Sequence, residues 1–369
     1  MIYLDYGATA FRKPPSVGQA VARAMVRCAS PGRGGYSAAM EAERTVYQAR
    51  EEAAKLFHCR PEQAVFTSSC THGLNIAIRT LVKQGSPVVI SGFEHNAVTR
   101  PLHALGAKTT VAGRRLFSWE DTLEEFDRAL RQGAEAAVFT HVSNVFGYIL
   151  PVERMAALCR SRGVPFILDA AQSAGTLEVD LEKLGAAFIA MPGHKGLYGP
   201  QGTGLLLCGE KPEPLLYGGT GSMSREQRMP QELPDRLEAG TLNVPGIAGL
   251  AAGMAFVRRS GPENLLRREH ALLEKCARGL SQLGARVYAG EHQAATLSFL
   301  LGKDCEETAE QLARAGFALR AGLHCAPLAH ESAGTVDTGT VRLSLGAFST
   351  EGEIRAFLRA ASKIFHPEK

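Results

Sequence analysis

The chain has no CxxC pair and no tight cluster of cysteine and histidine, although it carries eight cysteines, at positions 28, 59, 70, 159, 208, 276, 305 and 325. The spacing therefore points neither to a zinc site nor to a disulfide framework, and reduced thiols in a cytoplasmic protein fit it best. Charge of one sign is also lacking: 41 Lys and Arg against 37 Asp and Glu leave +4, too slight and too dispersed for a nucleic-acid partner. No apolar run is long enough to cross a bilayer. The most apolar one, GIAGLAAGMAFV over 246–257, falls short of the roughly 20 residues a span requires, and the start, MIYLDYGATAFRKPP, has no signal-like apolar core. Internal repeats, low-complexity tracts, GxxxxGK[ST] and a strand-to-helix GxGxxG are absent as well.

What is present is an alternation of short apolar runs with amphipathic stretches. The runs AVFTS (64–68), PVVIS (87–91), AAVFTHVS (136–143), PFILD (165–169), AAFIAM (186–191) and TGLLLC (203–208) read as strands covered on both faces. Segments 123–130 and 151–162 read as crossover helices between them. This predicts an α/β architecture with a mainly parallel sheet. From 246 onward the pattern becomes helical, with Leu265, Leu266, Leu272, Leu273, Cys276, Leu280 and Leu283 on one stripe, which places Cys276 in a core. Strand-like ARVYA, ATLSFLL and TVRLSLGAF follow. A last helix over 351–365, capped by Ser349 or Thr350, closes the chain. The expected partition is a large α/β domain over 15–250 and a smaller α+β domain made of 1–14 with 251–369.

Ligands of open parallel sheets gather at the carboxyl ends of the strands, and several of these ends are polar. After the first run, Ser69-Cys70-Thr71-His72 opens a helix whose free amides suit a phosphate. His95 and Asn144 follow the second and third runs. Asp169 ends an apolar strand, where an unpaired carboxylate is costly and a cationic partner is expected. Lys195 lies in the glycine-rich loop GHKGLYGPQGTG, where a lysine can be shifted to a reactive amine. Each residue alone has an ordinary structural reading. Together, a phosphate-ready helix start, a buried acid, an aromatic-type histidine and a loop lysine are the parts that pyridoxal 5'-phosphate requires.

With LDYGATA, THGLN, EHNAV, HVSNVFGYILPV, DAAQSAG, GHKGLYGPQGTG, RLEAGTLNVPGIAGL and RAGLHCAPLAH in this order, the sequence resembles the class V, fold-type-I aminotransferases. Within them it resembles the cysteine desulfurase and selenocysteine lyase family. The resemblance implies that Lys195 bonds covalently to the cofactor, Asp169 pairs with the pyridine nitrogen, Gln172 hydrogen-bonds the ring hydroxyl and His95 stacks on the ring and assists proton transfer. It further implies that Thr71, Cys70 through its backbone, and His194 hold the phosphate. Thr241 would reach the phosphate of a neighbouring subunit, making a homodimer with shared active sites. Asn144 and Arg342 would bind the carboxylate of L-cysteine. Cys325 would receive its sulfur as a persulfide, with His324 favouring the thiolate if charged, before a sulfur-acceptor protein takes it. Selenocysteine lyase, a C–S lyase and a plain aminotransferase are the alternatives that the same resemblance leaves open. Pro192, Cys70 and Tyr36 depart from the family pattern, which has serine, threonine and histidine at those places.

Overall fold

The structure is a computed structural model that describes residues 1–32, 34–302 and 304–365. The chain opens with β1 (Ile2–Tyr3), α1 (Pro15–Arg27) and α2 (Ser37–Phe57), and then alternates strand and helix. The alternation runs β2 (Ala64–Thr67), α3 (Cys70–Leu81), β3 (Pro87–Ser91), α4 (Asn96–Ala104), β4 (Lys108–Ala112), α5 (Trp119–Arg131), β5 (Ala136–Thr140), α6 (Val152–Ser161) and β6 (Phe166–Asp169). After the single-turn α7 (Leu181–Leu184) come β7 (Phe188–Pro192) and β8 (Gly204–Cys208).

These strands make one seven-stranded sheet in the order β2-β8-β7-β6-β5-β3-β4. Side-chain alternation explains why its central strands read as unbroken apolar runs. Along β5, Ala137 and Phe139 enter the core on one face while Ala136 and Val138 enter the core on the other. Along β8, Leu205 and Leu207 divide from Leu206 and Cys208 in the same way, so every position is apolar.

Two features differ from the sequence expectation of six strands. β4, with the sequence KTTVA, is a seventh strand; it pairs only with β3 and leaves its first three residues exposed. An edge strand has one open flank, so its polar composition hides it from a search for apolar runs. β8 runs antiparallel to both neighbours, because the loop from β7 is too short for the crossover that a parallel partner needs. All other strands point one way, so the carboxyl ends of β2, β3, β5, β6 and β7 share one edge of the sheet.

Beyond the sheet, α8 (Val244–Ser260) and α9 (Pro262–Gln282) lead into β9 (Arg286–Tyr288), β10 (Thr296–Leu300), α10 (Cys305–Arg314), β11 (Phe317–Ala318), β12 (Arg320–Gly322), α11 (Pro327–Ala333), β13 (Thr340–Ser344) and α12 (Glu351–Phe365). β12-β13-β10-β9 form a four-stranded antiparallel sheet, and Cys276 is fully buried against it with Leu272, Leu297 and Phe357. β1 pairs in parallel with β11, which brings the start of the chain to its C-terminal elements. Thr350, rather than Ser349, caps α12. Its hydroxyl accepts from the Glu353 amide at 3.3 Å while Glu353 accepts from the Thr350 amide at 2.9 Å, a reciprocal pair that satisfies two free donors.

Candidate active site

The common strand edge holds a cavity of about 110 Å³ lined by Ser69, Cys70, Thr71, His95, Asn144, Asp169, Gln172, Pro192, His194 and Lys195 among others. Seven strand-end residues singled out from the sequence are thus brought together: Cys70, Thr71, His95, Asn144, Asp169, His194 and Lys195.

Asp169 is 2% exposed, yet it makes no ion pair among the described residues, contrary to the cationic partner expected for it. Its Oδ1 accepts from the Ala171 amide at 2.8 Å and from the Cys70 thiol at 3.5 Å. Both donors act on one oxygen, which leaves Oδ2 for a further donor. Cys70 therefore contributes its side chain, and not only its backbone, to the site. Burial and the adjacent Asp169 push its thiol pKa well up, so it stays protonated and able to donate.

Lys195 follows β7 on the loop that returns as β8. Burial lowers its pKa below the usual amine value, with Asp169 pulling the other way; the net direction favours a neutral amine. The loop is held close to the DAAQSAG turn. Gly175 sits at φ +94°, and a Cβ there would lie 2.2 Å from the Gly196 carbonyl oxygen, beside Lys195. Gly175→Ala is expected to destabilise the protein by about 3 kcal/mol or more and to displace Lys195. Thermal denaturation and cofactor absorbance of the purified variant check this; an unchanged melting midpoint would refute it.

His95 caps α4, and its Nδ1 accepts from the Ala97 amide at 2.9 Å. The ring proton of the neutral form is therefore on Nε2. Burial is the main cause of its lowered pKa, which keeps the ring neutral. His194 is likewise neutral, brought to about 4 by burial and then by Lys195 and Lys13, with Nδ1 against the Thr9 hydroxyl at 3.0 Å. Gln172 spends one amide hydrogen on the Gly7 carbonyl at 3.0 Å and keeps a second.

At the start of α3, Ser69 accepts from the His72 amide at 3.2 Å, while the amides of Cys70 and Thr71 have no acceptor among the described residues. Two free helix-start amides beside neutral His194 make an anion cradle. Pro192 offers it no donor. The residues of this cavity fit the expected group: its phosphate would meet α3, and its ring nitrogen would meet the spare oxygen of Asp169, a buried carboxylate with no ion pair among the described residues.

Asn144 donates from Nδ2 to the His324 carbonyl at 2.8 Å, and its buried Oδ1 has no partner. Arg342 is held behind it, Nη1 on the Asn144 carbonyl at 3.0 Å and Nη2 on Asp5 at 2.9 Å. Asp5 and Arg320, which the motif reading gave no role, are part of this network. The signal for Asp5 was a carboxylate set directly after an apolar strand. Thr241 lies outside the cavity and is exposed, lining a separate depression with Ser68 and His72.

Cys325 is the exposed cysteine; the other seven are buried or half-buried. It occupies a tight turn closed by the Ala326 amide on the Leu323 carbonyl at 2.9 Å. Both central residues have positive φ, +50° at His324 and +58° at Cys325, the hand of a turn that normally takes Asn-Gly. Non-glycine residues there cost about 1–3 kcal/mol each, so the turn is held from outside. Asn96 donates to the Cys325 carbonyl at 2.8 Å, Asn144 to that of His324, and the His324 Nε2 to the Thr340 carbonyl at 3.1 Å. His324 does not carry the charge on which its favouring of the thiolate depends. Burial and then Arg342 lower its pKa to about 3, so it anchors the turn as a neutral ring.

The model of the aminotransferase class-V family matches residues 2–357. A relative from Methanothermobacter thermautotrophicus, described as a probable cysteine desulfurase, is 32% identical over 96% of this chain and 92% of its own. A cysteine desulfurase of Thermococcus onnurineus, solved in its apo form, superposes with a TM-score of 0.92 at 30% identity, covering 99% of this chain and 95% of that one. A second, from Escherichia coli in an S-sulfonic acid form, gives 0.84 at 26% identity over 98% and 95%.

Proposed function

Because the chain belongs to the class-V aminotransferase family, we propose that it is a pyridoxal-phosphate-dependent cysteine desulfurase that converts L-cysteine to L-alanine and takes the sulfur onto Cys325. The observation that carries this reading is a lone exposed thiol, held on a strained turn that is pinned to Asn144 of the strand-edge cavity. The cysteine desulfurases named among its relatives support it.

When bound, the cofactor supplies an electron sink for the carbanion left as the substrate's Cα–H bond breaks. Lys195 takes that proton on Nζ, for which its amine must be neutral, the direction in which burial moves it. Asp169 would hold the ring nitrogen's proton with Oδ2 while its two protein donors fix the carboxylate plane. His95 would lie against the ring and offer Nε2–H. The Cys325 thiolate then attacks the substrate sulfur, so that an S–S bond forms and the Cβ–S bond breaks. The electron pair of that bond stays with the carbon skeleton; a proton delivered to Cβ and the return of the Cα proton from Lys195 Nζ complete alanine and leave the amine neutral again. L-cysteine and one enzyme thiol become L-alanine and one enzyme persulfide, without an external oxidant.

We also assign Thr241 to a partner copy's phosphate, in a homodimer. The exposed apolar side chains Tyr36, Met40, Tyr47, Leu216, Tyr217 and Met223, on segments that flank the hollow containing Thr241, support this reading. The function is tested by product analysis of the purified protein with pyridoxal phosphate and L-cysteine. Alanine in step with sulfane sulfur supports it; pyruvate with ammonia, or transfer of the amino group to a keto acid, refutes it.

A further inference from the structure

Arg342, the residue read above as the anchor for the substrate carboxylate, already has its charge engaged. It is 3% exposed and does not line the cavity; its buried Nε has no partner, while Nη2 is held by Asp5 Oδ1 at 2.9 Å. Asp5 is itself 6% exposed and shared: Oδ2 accepts from Arg320 Nε at 2.7 Å. Arg320 is the more accessible guanidinium, with its side chain 60% exposed, and lies on β12 just ahead of the Cys325 turn. One buried carboxylate thus stands between two guanidinium groups, one buried and bonded to the Asn144 carbonyl, the other largely exposed.

To Arg342, an amino acid's α-carboxylate and Asp5 are the same kind of ligand, a planar pair of charged oxygens. Asp5 lowers the positive potential that the substrate would meet, and whatever share of its charge Arg320 takes is withdrawn from Arg342. Resting on the desulfurase reading, we propose that Asp5 is a built-in competitor of the substrate carboxylate that sets the affinity of the site for amino acids, with Arg320 dividing its charge. Asp5 is in this sense a positioning and specificity residue that touches no reacting atom.

The test is calorimetric titration of the holoenzyme with L-alanine, beside steady-state kinetics on L-cysteine. Asp5→Asn removes the charge and keeps the shape; Kd for alanine is expected to fall about 10-fold. KM for cysteine falls with it, and kcat changes less than about twofold, because ground-state and transition-state binding gain alike. Asp5→Glu, which restores the charge, returns both constants toward the wild-type values. Arg320→Gln acts in the opposite direction, weakening alanine binding about fivefold, and this effect vanishes in the Asp5→Asn background, where no charge remains to divide. A folded Asp5→Asn protein that binds alanine no better than wild type overturns the proposal, as does an Arg320→Gln effect of equal size in both backgrounds. If Asp5→Asn does not fold, Arg320→Gln alone decides: unchanged or tighter alanine binding overturns it. Failure of the desulfurase reading is separate, since it shows as absence of alanine formation by every form, whatever the pattern of Kd values.

Discussion

Lys195→Ala is expected to lower the rate of alanine formation from L-cysteine by about 10³-fold or more, the scale on which loss of a positioned proton acceptor is felt. The physical reason is specific. Lys195 is the amine at the cavity whose pKa burial moves toward neutrality, and the other bases there are not placed to replace it. His95 has its Nδ1 lone pair engaged by the Ala97 amide, and His194 has Nδ1 against Thr9. The variant should fold normally, because the deletion removes a buried amine that makes no ion pair among the described residues. A melting midpoint close to wild type with activity within tenfold would show that another group takes the proton.

The largest expected pH-dependent effect on stability comes from Glu269 in α9. It is 1% exposed, its Oε1 has no partner, and burial raises its pKa to about 8 against the opposing pull of Arg268. It lies in a second, small cavity with Tyr6, Gln172, Lys195 and Tyr198. A carboxyl whose folded pKa is raised contributes fully below its unfolded value of 4.5 and loses that contribution as pH rises through about 8. Glu269→Gln keeps the shape and removes the titration, so its advantage over wild type should grow from near zero at pH 4.5 to about 2–4 kcal/mol at pH 8. Denaturant unfolding of both proteins at a series of pH values measures this. A difference that does not change with pH would contradict it. Glu94 is fully buried and raised to about 8 as well, but it accepts from the Ser91 hydroxyl and the Thr140 amide, so a glutamine there must first recover those bonds.

The contrast between what could and could not be read from the chain follows contact order. β5, β7 and β8 were legible because both of their faces are buried, which makes apolar runs unavoidable. β4 was not, because Lys108, Thr109 and Thr110 face solvent at the sheet edge. Asp169 and Lys195 were legible because a charged residue at the end of an apolar strand, or among glycines, stands out locally. The charge state of His324 was not, since it is set by burial against Thr340 and by Arg342, neither of which is near it in sequence. Nor were the thiol of Cys70 on Asp169, 99 positions away, and Arg342 on Asp5, 337 positions away. A motif names a residue; only the assembled fold shows what that residue's remaining hydrogen bonds are spent on.

The destination of the sulfur decides whether Cys325 is the acceptor. Purified holoenzyme incubated with L-cysteine in the absence of reductant, then analysed by intact mass and peptide mapping alongside alanine measurement, should carry one added sulfur atom on Cys325. Cys325→Ser should carry none. An added sulfur on any other cysteine, or alanine formed at the wild-type rate by Cys325→Ser with L-cysteine, would contradict it.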